Sequence, residues 1–197
     1  MQRLTAVSLM LLATCAICWA DSSIKSGPQP GESIPGPFHF QNINGKHAGN
    51  PHCLVCEYGL RPVVLVFSRE VPTANNPQPL TSLLKGLDAA VGRNVMARLR
   101  SFTVFLSADY TSNDSRPALI STLDGLATSL DLKNTVLAAG PAAGPDKYHV
   151  NAEAGITVIL YKEQKVAANF SYAPGKMAEA DVKSILAAVE KLAGGKR

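Results

Sequence analysis

The chain has 197 residues, and 19 Lys and Arg against 15 Asp and Glu leave a formal charge of +4. With 46% hydrophobic and 17% charged residues it is too apolar for a disordered chain, and it is long enough for one domain with a real core. The positive charge is mild and scattered, with no Lys/Arg run interleaved with aromatics, which argues against nucleic acid as a partner.

Met1-Gln2-Arg3 is a short basic start, and Leu4 to Trp19 is mostly apolar. Cys18 and Ala20 supply the small residues that precede a signal cut. These features predict a secretory signal over residues 1–20, cleaved after Ala20. A membrane anchor is the alternative. The apolar stretch is short for a span of ~20 residues, and polar Asp21-Ser22-Ser23 follows at once. Leu12-Ala13-Thr14-Cys15 leaves a lipoprotein signal as a lesser alternative, with Thr a poor residue before the Cys. A secreted or periplasmic protein is expected, with no membrane span after cleavage: the longest later apolar run, Val63 to Phe67, is far too short. Cleavage removes Cys15 and Cys18, so Cys53 and Cys56 remain as a single Cys-x-x-Cys in an oxidising compartment.

Residues 21–37 hold four Pro and three Gly and read as a flexible or extended leader, a tether away from a surface. The domain itself is expected over 38–197. Phe38 to Ile43 alternates weakly and ends in Asn44-Gly45, which suits a short strand or hairpin. Val63 to Phe67 is a continuous apolar run, as in a strand buried on both faces. Leu80, Leu83, Leu84, Leu87 and Val91 have helical spacing; Gly92 is a candidate break, and Val95, Met96 and Leu99 resume an apolar face. Phe102 to Leu106 is a second buried strand. Pro117 opens a helix, because its missing N–H would be unpaired there in any case, and Leu119, Ile120, Leu123, Leu126, Ala127 and Leu130 line its face. Thr135 to Leu137 suits a short strand, and Gly140 to Gly144 a loop. Ile156 to Tyr161 and Val166 to Tyr172 form a hairpin about the polar turn 162–165. Val182, Ile185, Leu186, Val189 and Leu192 mark a last amphipathic helix.

This order, with Tyr148-His149-Val150 leading into Gly155-Ile156-Thr157-Val158-Ile159-Leu160-Tyr161 and Lys165-Val166, resembles the thioredoxin-like superfamily over about Pro62 to Leu192. The resemblance is to exported redoxins of TlpA-like or peroxiredoxin-like type. It implies an α/β, thioredoxin-like three-layer sandwich with a central mixed sheet and an N-terminal extension. Two departures stand out. The family's reactive Cys follows the first core strand, where this chain has Ser68 to Pro79 and no Cys; the family's cis-proline precedes the Thr, where this chain has Ile156. A cis bond before a non-proline residue costs ~3–4 kcal/mol, so trans is the default at Ile156.

The remaining chemistry lies in His47, His52, Cys53 and Cys56, before the first core strand. Three readings stay open. In the first, Cys53 and Cys56 are the catalytic pair of a thiol–disulfide redox protein that exchanges with a thiol- or disulfide-bearing exported partner and needs no cofactor. The resemblance implies that Cys53 attacks and Cys56 resolves. His52 and Arg61 favour a thiolate and Glu57 opposes it, while no helix start is visible at Cys53 to assist. In the second reading, His47, His52, Cys53 and Cys56 bind a Zn or Cu ion, although adjacent His52 and Cys53 ligate awkwardly through one backbone. In the third, the fold is a non-catalytic scaffold and the pair is a structural disulfide. His149 beside Tyr148 is a weak further candidate, and Asn113 and Asn169 sit in glycosylation sequons.

Overall fold

The computed structural model describes residues 24–72 and 78–194. The predicted signal over 1–20 lies outside the described residues. The elements run β1 (Phe40–Asn42), β2 (Pro51–His52), α1 (Leu54–Tyr58), β3 (Val63–Ser68), α2 (Pro79–Arg93), β4 (Arg100–Ser107), α3 (Arg116–Ser129), β5 (Thr135–Pro141), β6 (Ile156–Lys162), β7 (Lys165–Tyr172) and α4 (Glu179–Gly194). Seven strands form one mixed sheet in the order β2-β1-β5-β4-β3-β6-β7. Strands β3, β4 and β5 are mutually parallel, and the strands outside them pair antiparallel. Among the described residues no helix is long and apolar enough to cross a membrane.

Strand alternation divides the core in two. Val64 and Val66 of β3 face one side, where the buried Leu80, Leu83, Leu84 and Leu87 of α2, Leu119 and Leu123 of α3, and Val182 and Ile185 of α4 pack together. Val63, Leu65 and Phe67 face the other side, against Leu54, Val55 and Tyr58 of α1 and against Ile34 and Tyr148. The three layers are thus three long helices, the sheet, and a thin cover of α1 and N-terminal chain. Phe38 in that cover meets Phe40, Phe67, Phe102 and the edge of Tyr148 at ring-centroid distances of 5.0 to 6.2 Å.

Residues 24–37 do not run away from the domain as a tether. Gly31 N–H donates to Val166 O (2.8 Å), Val166 N–H to Glu32 O (2.9 Å) and Ile34 N–H to Gln164 O (2.8 Å). The prolines predispose this strap to an extended path, and its free backbone groups pair with the hairpin edge. Asn169 serves the strap too: its amide donates to Ser26 O and Pro28 O, both at 2.8 Å. That sequon asparagine is engaged in the fold.

Two further expectations need correction. Of the apolar residues expected to resume the α2 face after Gly92, Leu99 is fully buried, but Val95 is 66% and Met96 96% exposed. The helix ends at Arg93, where the Asn94 side chain donates to Ala90 O (2.9 Å), and Arg98 takes a positive φ that turns the chain into β4. Strand β5 extends to Pro141, taking in Gly140, which the sequence assigns to a loop. A Cβ at Gly140 would sit 2.5 Å from the Phe40 ring, so only glycine lets β1 dock here. The connection from β1 to β2 is an eight-residue turn, 43–50, entered through the Asn44-Gly45 pair, with Gly45 at φ +79°.

Candidate functional site

Residues 42–58 build one compact feature at the edge of the sheet. Asn42 N–H donates to Asn50 O (3.0 Å) and Gly49 N–H to Asn42 O (2.8 Å), closing the β1–β2 turn. Asn44 fixes that turn to β5, accepting from Leu137 N–H (2.7 Å) and donating to Thr135 O (3.1 Å). The turn carries His47, β2 carries His52, and the chain then enters α1 through Cys53.

Cys53 is the N-cap of α1, and Cys56 N–H donates to its Sγ at 3.1 Å. This corrects the sequence reading, which sees no helix start there. Leu54, Val55 and Tyr58 bury one face of α1, and that anchoring supports a single turn too short to persist alone. Cys53 and Cys56 form a disulfide, with their Cα atoms 5.3 Å apart. The two sulfurs differ in access: Cys53 is 5% exposed, whereas Cys56 lies open to solvent.

Glu57 follows Cys56 and turns back toward the histidines. His52 Nε2 lies 2.7 Å from Glu57 Oε2, and His47 Nε2 lies 3.7 Å from the same oxygen. A carboxylate only accepts, so the close contact is a hydrogen bond donated by the His52 ring. The two imidazoles stack at 3.6 Å between centroids with planes 13° apart. His39, Lys46, His47, His52, Cys53, Cys56 and Glu57 line one open recess. Of the four sequence-predicted residues, all therefore meet in space, but the sulfurs are bonded to each other rather than free to ligate. Arg61 does not line the recess; Lys46 does. Glu57 is the residue the sequence reading undervalues. Behind the recess Tyr58 is buried, which pushes its phenol up to about 12; Glu57 adds to the rise, while Arg100 and Arg61 oppose it.

The location follows from the register. Val63 pairs with Arg100, and β5 begins at Thr135, so these residues mark the N-terminal ends of the parallel strands. A second recess joins Lys46, His47, Leu54, Glu57 and Tyr58 to Arg100, Lys133 and Asn134 at those ends. The six residues of β3 at ~3.3 Å each put about 20 Å between this edge and the far one.

At the far edge, where the resemblance places a reactive Cys, Ser68 Oγ donates to Glu70 O (2.7 Å) and Glu70 Oε1 accepts from Gly175 N–H (2.7 Å). The Arg69 guanidinium donates to Ala142 O and, at 3.4 Å, to Asn151 O, and burial lowers its pKa. Ile156 is trans, there being no cis peptide bond among the described residues. Tyr148 is buried and donates to Gly36 O (2.8 Å), while His149 is exposed with a left-handed backbone. Neither makes a site.

No family model matches the chain, and no curated protein matches it. Solved structures do. An uncharacterized conserved protein from Geobacillus kaustophilus superposes with a TM-score of 0.59 at 15% identity, over 88% of this chain and 87% of its own. Peroxidoxin BcpB from Mycobacterium tuberculosis gives 0.57 at 13% identity, over 86% and 99%. A protein assigned as thiol:disulfide interchange protein DsbE from Chlorobium tepidum gives 0.55 at 17% identity, over 87% and 100%. The chain has a thioredoxin-like α/β fold, as the sequence resemblance implies.

Proposed function

We propose that this is an exported thiol–disulfide exchange protein, secreted or periplasmic after cleavage at Ala20, which works through Cys53 and Cys56. The observation that carries the reading is the asymmetric disulfide, with one sulfur exposed and the other buried under a backbone donor. A partner thiolate attacks the exposed Cys56 Sγ. The Cys53–Cys56 bond breaks as the mixed disulfide forms, and the electron pair leaves on Cys53 Sγ. There the Cys56 N–H faces the new thiolate, and donation to the charged form favours it. A second partner thiolate then attacks the partner's own sulfur and expels Cys56 as thiolate. The partner gains a disulfide, and the Cys pair takes up two electrons.

This assigns the contact with the partner to Cys56, the reverse of the order that the resemblance implies, because access selects the sulfur that is attacked. Trapping tests it. Cys53→Ser, which keeps the exposed thiol, should form mixed disulfides with glutathione disulfide or a disulfide-bearing exported partner, releasing the partner's other sulfur as thiolate, at least about tenfold faster than Cys56→Ser. Faster trapping by Cys56→Ser would reverse the order. Equal inertness of both variants, with a disulfide that resists the glutathione pool below about −300 mV, would favour the structural-staple reading.

A further inference from the structure

We propose that His47, His52 and Glu57 form a binding site for one divalent transition-metal ion, Zn2+ foremost, in the disulfide-closed protein. The ligand set differs from one drawn through the cysteines. Neither sulfur takes part, because each is already bonded to the other.

The geometry carries the inference. Both Nε2 atoms approach one carboxylate oxygen, His52 at 2.7 Å and His47 at 3.7 Å, and the ligating atoms of the three residues all lie within 4.8 Å of one another. A tetrahedral ion with bonds of about 2.0–2.2 Å separates its ligand atoms by about 3.3–3.6 Å. The two observed separations bracket that range, so small side-chain rotations admit the ion. The rings stack with planes 13° apart, and because each Nε2 lone pair lies in its ring plane, the rotation that admits the ion splays the two rings so that both lone pairs converge on it.

The three donors are also held in place. His47 stands on a turn that Asn44 ties to β5, His52 sits in a strand paired with β1, and Glu57 lies on a helical turn closed by the disulfide. Their side chains remain 29 to 35% exposed, so an ion can enter and keep a water in its fourth position. Two imidazoles and one carboxylate suit a borderline ion such as Zn2+. They are too soft and too few for Mg2+ or Ca2+, and they lack the sulfur that Cu(I) selects. Binding needs each Nε2 as a lone pair, so the ion replaces the His52 proton that now points at Glu57, and acid opposes uptake.

The test is made on the full oxidised chain with the remaining thiols alkylated, so that no cysteine can ligate. Zn2+ titrated in competition with a chromogenic chelator should bind at one equivalent. His47→Ala, His52→Ala and Glu57→Gln should each weaken binding about tenfold or more. His39→Ala, in the same recess, should leave it unchanged. Histidine 15N spectra should show the Nε2 signals of His47 and His52 shift together, with that of His149 fixed. Three results would overturn the proposal: no bound ion, binding that survives all three substitutions, or binding that appears only after reduction. Disulfide exchange is measured separately on the same samples, so loss of the metal site leaves the exchange reading standing, and the converse holds.

Discussion

Opening the Cys53–Cys56 bond should cost little stability, and that is the sharpest way to separate an exchange site from a staple. The two cysteines are three positions apart, so the closed loop holds four residues. In the chain-entropy account a loop that small contributes about 2 kcal/mol at 25 °C. The burial beside it is worth more: truncating Leu54, 4% exposed against the sheet, should remove about 2–5 kcal/mol. Urea unfolding of the oxidised protein and of the Cys53→Ser/Cys56→Ser double variant measures the difference. We expect a lower midpoint, an unchanged m-value, and a loss of about 2 kcal/mol or less. A loss of about 4 kcal/mol or more, or a changed m-value, would refute the reasoning, because the bond would then hold far more structure than its own turn.

Asp88 Oδ1 accepts from the backbone N–H groups of Lys133, Asn134 and Thr135 at 3.0, 2.7 and 2.8 Å. Asp88→Ala should therefore destabilise by about 1–3 kcal/mol and speed amide exchange at the start of β5, read by denaturation and hydrogen exchange. Gly140→Ala drives a methyl into the Phe40 ring, so it should cost about 1–3 kcal/mol and weaken the hairpin that carries His47 and His52. The raised Tyr58 phenol makes stability fall at alkaline pH. Between about pH 10 and pH 12 the unfolded chain has lost a proton that the folded one keeps, so this contribution is full below pH 10 and lost toward pH 12. The wild type should lose about 2–3 kcal/mol more over that window than Tyr58→Phe, with urea midpoints at about pH 9 and pH 12 as the measure. The exposed Met96 makes the opposite case, and Met96→Gln should stay within about 0.5 kcal/mol of wild type in the same urea assay.

The core strands and the three long helices are legible because their residues obey one period over many positions. Val63 to Phe67 and the Leu80–Leu87 series report burial directly, and each lands where the pattern puts it. The strap is not legible. Its prolines and glycines look the same whether the chain is free or laid along a sheet, since the pairing partners in β7 and the Gln164 turn are 130 or more residues away. Met96 misleads for the same reason: an apolar spacing continues past a point where Asn94 and the positive φ of Arg98 turn the chain. At the site, the sequence brings His47, His52 and the cysteines within ten residues, so their meeting in space follows from one hairpin and one turn. The α1 cap escapes because five residues carry too little periodicity, and Glu57 escapes because its partners lie across the hairpin.

The cysteine pair lies at one edge of the sheet, and the other edge is filled differently. There Arg69 and Glu70 are already committed to backbone groups of the 142–151 and 175 loops, and Pro174 backs Gly155 so closely that a Cβ at Gly155 would lie 2.8 Å from it. A reactive sulfur in place of Ser68, Arg69 or Glu70 would remove these contacts. At the near edge the three parallel strands begin, and the β1–β2 hairpin overhangs them without a long helix above it. That thin cover leaves Cys56 exposed while Cys53, Leu54, Val55 and Tyr58 sink into the sheet face. One short amphipathic turn thus supplies both conditions that exchange needs, a sulfur within reach of a partner and a second one held under a backbone donor. A substitution that loosens the turn without touching sulfur, Val55→Ala, should for that reason narrow the rate gap between the two single-cysteine variants; an unchanged gap would mean that the burial of Cys53 is set elsewhere.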